Sequence, residues 1–169
     1  MTAWVAGITA GAAVNESNIG ATKIIGELTN SEIDKALEAG WFVFATNAAG
    51  EIAVRDDINS LHTFTSSAAK DFRLNQVVRV LDEVGTSLQN KWEQSFKGIV
   101  QNNSNGRNTF KALVIEYMEE LQNMEAIQEF DSSTDVTVEA GTDKDAVRLS
   151  INVNPVAAMS KLYGYVYVL

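Results

Sequence analysis

The sequence predicts an α+β fold, in which two long amphipathic helices pack on small, mainly antiparallel β elements. Three observations predict it. Apolar residues recur mostly every three or four positions from Phe72 to Ile99 and again from Phe110 to Ile127, the helical period. Apolar and polar residues alternate in two stretches built around Asn, Gly and Asp turns, the signature of hairpins. The terminal LYGYVYVL carries no charge and is apolar or aromatic on both faces of an extended chain, so it reads as a strand that needs covering.

In chain order, residues 3–16 (AWVAGITAGAAVNE) are rich in Ala and other small residues and suit a tightly packed helix. Thr29 or Asn30 can cap a short helix over residues 31–39, with Ile33, Ala36 and Leu37 as its apolar stripe and Gly40 at the left-handed C-terminal position. Residues 41–46 (WFVFAT) form a strand, residues 47–50 a turn, and residues 51–55 (EIAVR) the returning strand. From Ala68 the pattern becomes helical, with Phe72, Val77, Val78, Leu81, Val84, Leu88, Trp92, Phe96 and Ile99 on one face; Gly85 can bend this helix without ending it. Residues 101–107 (QNNSNGR) are the polar connection. The second helix, residues 107–129, buries Phe110, Leu113, Val114, Tyr117, Met118, Leu121, Met124 and Ile127, and the short link predicts antiparallel packing. Residues 134–140 and 146–154 form a second hairpin around GTDKD, which Pro155 ends because it has no N–H to donate.

In the tail, Tyr163, Tyr165 and Tyr167 face one way, and Leu162, Val166 and Val168 the other. Such a strand is either central in its own sheet or added to the sheet of another chain, and residues 156–160 supply a linker with reach.

Composition bears on function by exclusion. The chain has 169 residues, enough for a sizeable core, since ~150 residues bury about two-thirds of their unfolded surface. It has no cysteine, which excludes disulfides, thiolate metal sites and cysteine nucleophiles. His62 stands alone and reads as a structural or surface residue. Thirteen basic against 22 acidic side chains give a net charge of −9, a poor match for a phosphate backbone. The apolar stretch from Trp4 to Val14 lacks a preceding basic residue and the roughly 20 residues of a membrane span, so neither a signal peptide nor a membrane partner is expected. Asp56 and Asp57 are adjacent carboxylates without calcium-loop spacing and suit a cap or turn. Gly7 and Gly11 do not make a dinucleotide fingerprint, no Walker lysine follows them, and no serine sits in GxSxG. Neither an enzyme nor a cofactor is expected. Glu116, Glu119, Glu120, Glu125 and Glu129 form an acidic helical face, for solvation or for docking a partner of complementary charge.

Four stretches together resemble the C-terminal core of contractile phage tail sheath proteins, those of myoviruses, defective prophages and phage-tail-like bacteriocins. They are AWVAGITAGAAVNES at residues 3–17, the run from EIDKALEAGWFVF to VRDDINSLHTF at residues 32–64, DFRLNQVVRVLDEV at residues 71–84, and INVNPVAAMSKLYGYVYV at residues 151–168. The resemblance implies a structural subunit that polymerises in rings or a helix around an inner tube, meets a baseplate, and contracts to drive the tube through a cell envelope. It implies a sheath core over residues 1–155, either the C-terminal part of a longer protein or an unusually short member of the family, and an arm over residues 156–169. It further implies a donor strand with Tyr163, Tyr165, Val166, Tyr167 and Val168, and an acceptor hairpin with Val136, Val138, Leu149, Ile151 and Val153. Helix 107–129, through Lys111, Glu116, Glu119 and Glu120, is then the tube-facing helix. Localisation follows as the virion tail sheath, assembled in the bacterial host cytoplasm. Two rival readings are another self-assembling tail or baseplate component, and a small hydrolase or ligand-binding domain, which needs a concave pocket with converging titratable groups.

Overall fold

The structure, a computed structural model, describes residues 13–14, 19–66 and 69–168. Most of the expected helix at residues 3–16 lies outside the described residues. The chain divides into two compact units, Met1–Val78 with Ala157–Leu169, and Arg79–Val156.

In the first unit, α1 spans Asn30–Glu38. Its start is tied by Glu32, whose Oε2 accepts from the Thr29 backbone N–H at 2.8 Å and from the Thr29 hydroxyl at 2.7 Å. This satisfies a donor that a helix start would otherwise leave to water. At the other end, Trp41 N–H donates to Ala36 C=O and Gly40 N–H to Leu37 C=O, both at 2.9 Å, the pair of bonds that closes a Schellman turn. Gly40 takes φ +79°, and a Cβ there would lie 2.8 Å from the Ser60 carbonyl oxygen. Glycine is therefore required twice over, for the left-handed backbone and for the close approach.

Ile33 and Ala36 on α1 pack with Val43, Leu37 and Ala45. The hairpin pairs β1, Phe44–Thr46, with β2, Ile52–Val54, in the register Phe44↔Val54, Ala45↔Ala53 and Thr46↔Ile52. Asn47 shapes the turn, its Oδ1 accepting from Ala49 N–H at 3.0 Å and Glu51 N–H at 2.9 Å. The first strand is shorter than the apolar run suggested, and Trp41 is left exposed. All three residues of β2 are buried rather than alternating.

Residues 56–59 fold back onto a short 3-10 helix, Lys70–Arg73. Asn59 donates its N–H to Arg73 C=O at 2.9 Å and its side-chain amide to Phe72 C=O at 2.7 Å. The Arg73 guanidinium donates to Leu37 C=O, fastening the same turn to the end of α1. Asp57, only 3 % exposed, accepts from Val14 N–H and from the Asn75 side-chain amide, while its carbonyl accepts from Asn75 N–H. The local turn or cap expected of Asp57 is not its role: its bonds reach 43 residues back to Val14 and 18 residues on to Asn75, so it ties distant segments together. Because this clamp occupies residues 70–73, the long helix α2 begins at Asn75, not at Ala68, and runs unbroken through Gly85 to Ser95. Phe72, expected on its apolar face, is left 41 % exposed on the 3-10 turn.

The second unit holds the larger core. The later part of α2 and all of α3, Ser104–Asn123, contribute Val80, Val84, Leu88, Phe110, Val114, Tyr117, Met118 and Leu121. Trp92, Phe96 and Phe110 form an aromatic cluster with centroids 4.9–6.0 Å apart. Such contacts add to what burial alone contributes. The connection is displaced from the expected one: α2 stops before Phe96, and α3 starts inside QNNSNGR because the Asn103 side chain accepts from Gly106 N–H at 2.9 Å.

Helix α3 also ends six residues before Glu129. Glu125 takes φ 58°, with Ala126 N–H on Leu121 C=O and Glu125 N–H on Gln122 C=O, both at 2.9 Å. This Schellman turn needs a left-handed residue, and a glutamate supplies it. The acidic helical face is thereby cut short. Glu125 and Glu129, the latter at φ 56°, lie beyond the helix. Met124 is exposed, whereas Ile127 is buried in the core by the segment after the turn.

Strands β3, Val136–Ala140, and β4, Val147–Ile151, pair antiparallel with Val136 opposite Ile151 and Val138 opposite Leu149. β3 packs on α3. The second strand ends at Ile151, earlier than expected, yet Val153 still packs against the core. Pro155 lies in a bridge opposite Ile127, held by Gln128 N–H on Asn154 C=O and Val156 N–H on Ala126 C=O. The two bonds flank the proline, so its missing N–H costs the pairing nothing.

Candidate functional site

The tail is the most unusual surface of the molecule. No residue from 157 to 168 enters a strand. Tyr163, Tyr165, Val166, Tyr167 and Val168 are between 81 % and 96 % exposed, and Leu162 is 94 % exposed. A central strand of its own sheet is therefore not what this segment forms. Its root is fixed, since Ala158 N–H donates at 2.9 Å to the side-chain carbonyl of Gln76, itself buried. Contiguous apolar exposure of this kind marks a contact surface or an aggregation hazard.

The hairpin residues expected to accept a strand are brought together in the second unit. Val136 is buried, and Val138, Leu149, Ile151 and Val153 are half-buried against the core. The β3–β4 sheet has two strands, so among the described residues the outer edge of β4 carries no ladder. Between β4 and α2 opens a groove of about 480 Å³. Val147, Leu149 and Ile151 line one side, Val84, Gly85, Leu88, Gln89 and Trp92 the other, and Phe110 also borders it. No lining residue is charged. The sequence patterning implied the apolar face of β4, but it could not reveal that β4 stands clear of α2. Gly85 is a wall of this groove.

On α3, Glu116, Glu119 and Glu120 are exposed and Lys111 is half-buried, so the acidic residues form a solvent-facing set without a described partner segment across them. Tyr117 on the same helix is buried, and burial raises its phenol above the ordinary value. The Lys91 ammonium stands 5.3 Å from its ring centroid, a cation–π contact. His62 is exposed, its Nδ1 3.1 Å from the Ser60 carbonyl oxygen. Among the described residues, no three His, Cys, Asp or Glu side chains are grouped to hold a metal ion. No helix among them is long and apolar enough to cross a membrane.

Comparison with known proteins bears directly on this arrangement. Residues 67–169 match the family model described as the phage tail sheath C-terminal domain, and residues 1–60 match the phage tail sheath protein central domain. The chain is 36 % identical to the phage-like element PBSX protein XkdK of Bacillus subtilis over 174 aligned positions, covering 96 % of this chain and 37 % of that protein. It thus spans little more than a third of this relative's length. The crystal structure of the sheath tail protein of Desulfitobacterium hafniense superposes with a TM-score of 0.83 at 34 % identity, over 94 % of this chain and 38 % of that one. The sheath tail protein of Listeria innocua gives 0.79 at 27 % identity, over 92 % and 38 %. The fold, the hairpin and the two matched domains agree in one assignment: the chain belongs to the phage tail sheath protein family.

Proposed function

We propose that this chain is the core of a contractile tail sheath subunit. Residues 1–155 form the sheath core domain within a longer protein, and residues 156–169 form a C-terminal arm. Subunits polymerise around an inner tube, join a baseplate, and contract to drive the tube through a cell envelope. Assembly takes place in the bacterial host cytoplasm, and the finished sheath is part of the virion tail. Neither nucleic acid nor membrane is a partner, and no catalysis is involved.

One observation carries the reading. An uncharged, fully exposed Tyr/Val segment and an apolar groove beside an open strand edge occur in the same chain. Each is a liability alone and a contact when joined between copies. Tyr163, Tyr165, Val166, Tyr167 and Val168 of one subunit add as a strand to the hairpin bearing Val136, Val138, Leu149, Ile151 and Val153 of the next. Backbone ladders then hold neighbours together while the part of the 156–160 linker beyond the Ala158 anchor gives compliance, which lets subunits shift without parting. The work of contraction comes from subunit contacts and needs no nucleotide. Helix α3, through Lys111, Glu116, Glu119 and Glu120, meets the tube.

Electron microscopy of the full-length protein tests this. Hollow tubes are expected from the intact protein, and deletion of residues 162–169 is expected to abolish them while circular dichroism stays native. Tubes that form normally after the deletion would refute the arm's role.

A further inference from the structure

Gly85 has no backbone reason to be glycine. It lies within α2, outside the left-handed region, where glycine is the poorest helix former after proline. Nor is it crowded, since a Cβ built there meets nothing within 4 Å. The space above it is the groove between α2 and β4, which it lines with Val84, Leu88 and Gln89 on its own helix. A larger side chain at this point would project into that space. Resting on the strand-donation reading above, we propose that Gly85 is the specificity-determining position of the acceptor groove: its missing side chain keeps the slot open for the arm of a second copy of this chain.

The fit of occupant to slot is chemical as well as spatial. The lining is uncharged, and so is everything in the arm after Lys161. The six residues 163–168 suffice to run the five-residue length of β4, Val147–Ile151. An added strand carries one apolar face toward Val147, Leu149 and Ile151, and its backbone meets the open edge of β4. A leucine at position 85 would occupy the slot from the helix side and exclude the strand.

The test exploits two effects of opposite sign. In the 169-residue chain, Gly85→Leu is expected to raise the melting temperature by roughly 2–4 °C, through better helix propensity. The same variant is expected to weaken concentration-dependent self-association, measured by sedimentation velocity, at least tenfold. Val166→Pro, which removes a ladder donor from the arm, serves as the reference for a lost strand. If Val166→Pro abolishes association and Gly85→Leu leaves it intact, the Gly85 assignment is wrong while strand donation stands. If the unaltered chain does not associate, or associates equally with Val166→Pro, strand donation itself fails and the Gly85 assignment with it. A lowered melting temperature for Gly85→Leu would show that the space is filled, and would overturn the assignment on its own.

Discussion

Replacing Gly40 by alanine separates two reasons for a glycine, because Gly50 provides an internal control. Both residues are left-handed, at φ +79° and +80°. At Gly50 an added Cβ meets nothing within 4 Å; at Gly40 it meets the Ser60 carbonyl oxygen at 2.8 Å, its carbon at 2.9 Å and its Cα at 3.0 Å. Forcing an L-residue into the left-handed region costs roughly 1–2 kcal/mol, partly offset by about 0.4–1 kcal/mol from a stiffer unfolded chain. Gly50→Ala is therefore expected to destabilise by about 1 kcal/mol. Gly40→Ala carries the same cost plus that of overpacking against backbone, which no rotamer can relieve, about 1–3 kcal/mol more. The expected loss is about 2–4 kcal/mol, read as a lower urea midpoint at unchanged slope. Hydrogen exchange should place the added loss at the Trp41 and Gly40 amides that close α1. Equal losses for the two alanines would refute the steric half of the reasoning.

Two further outcomes follow from the same physics. The bonds from the Thr29 backbone and hydroxyl hold the Glu32 carboxyl below its ordinary value of 4.5. A depressed folded pKa means stabilisation that is complete above about pH 4.5 and lost as pH falls through the lower folded value, so the stability gap between wild type and Glu32→Gln should close on acidification. A gap that is constant from pH 7 to about pH 2 would contradict the linkage. Glu125→Gly should relieve the left-handed strain at the end of α3 and raise stability by about 0.5–1 kcal/mol in urea denaturation, whereas a loss would show that the Glu125 side chain itself holds the turn.

The elements whose signals are local were legible in the sequence. The Gly40 stop, the Asn47–Gly50 turn and the hairpin around residues 141–145 depend on residues within a few positions of each other, and the folded chain uses them as read. What escaped depends on distant partners. The start of α2 is set by Asn59 and Asp57, which hold residues 72–75 from over a dozen positions upstream, and no periodicity in residues 68–75 records that. The polar run QNNSNGR looked like loop throughout, although half of it is a capped helix start, because Asn and Gly suit both roles. At Glu125 the pattern pointed to continued helix; the left-handed turn is imposed by burying Ala126 and Ile127. For the candidate site, both apolar faces were legible and the groove between them was not, since it arises from the distance between β4 and α2.

The single hydrogen bond from Ala158 to Gln76 also sets a length. Tyr163 lies five residue steps beyond that pin, and an extended chain advances ~3.3–3.6 Å per step, so the first residue of the proposed donor strand can travel about 17 Å from its anchor. Within that radius a donated arm would be a tethered ligand, its encounter with an acceptor edge governed by a local concentration on the order of millimolar rather than by the bulk protein. In the proposed ring, once one contact places a neighbour within reach, capture would become effectively unimolecular. If strand donation holds as proposed, the anchor would act as a ruler, favouring those neighbours that lie within reach of a given arm.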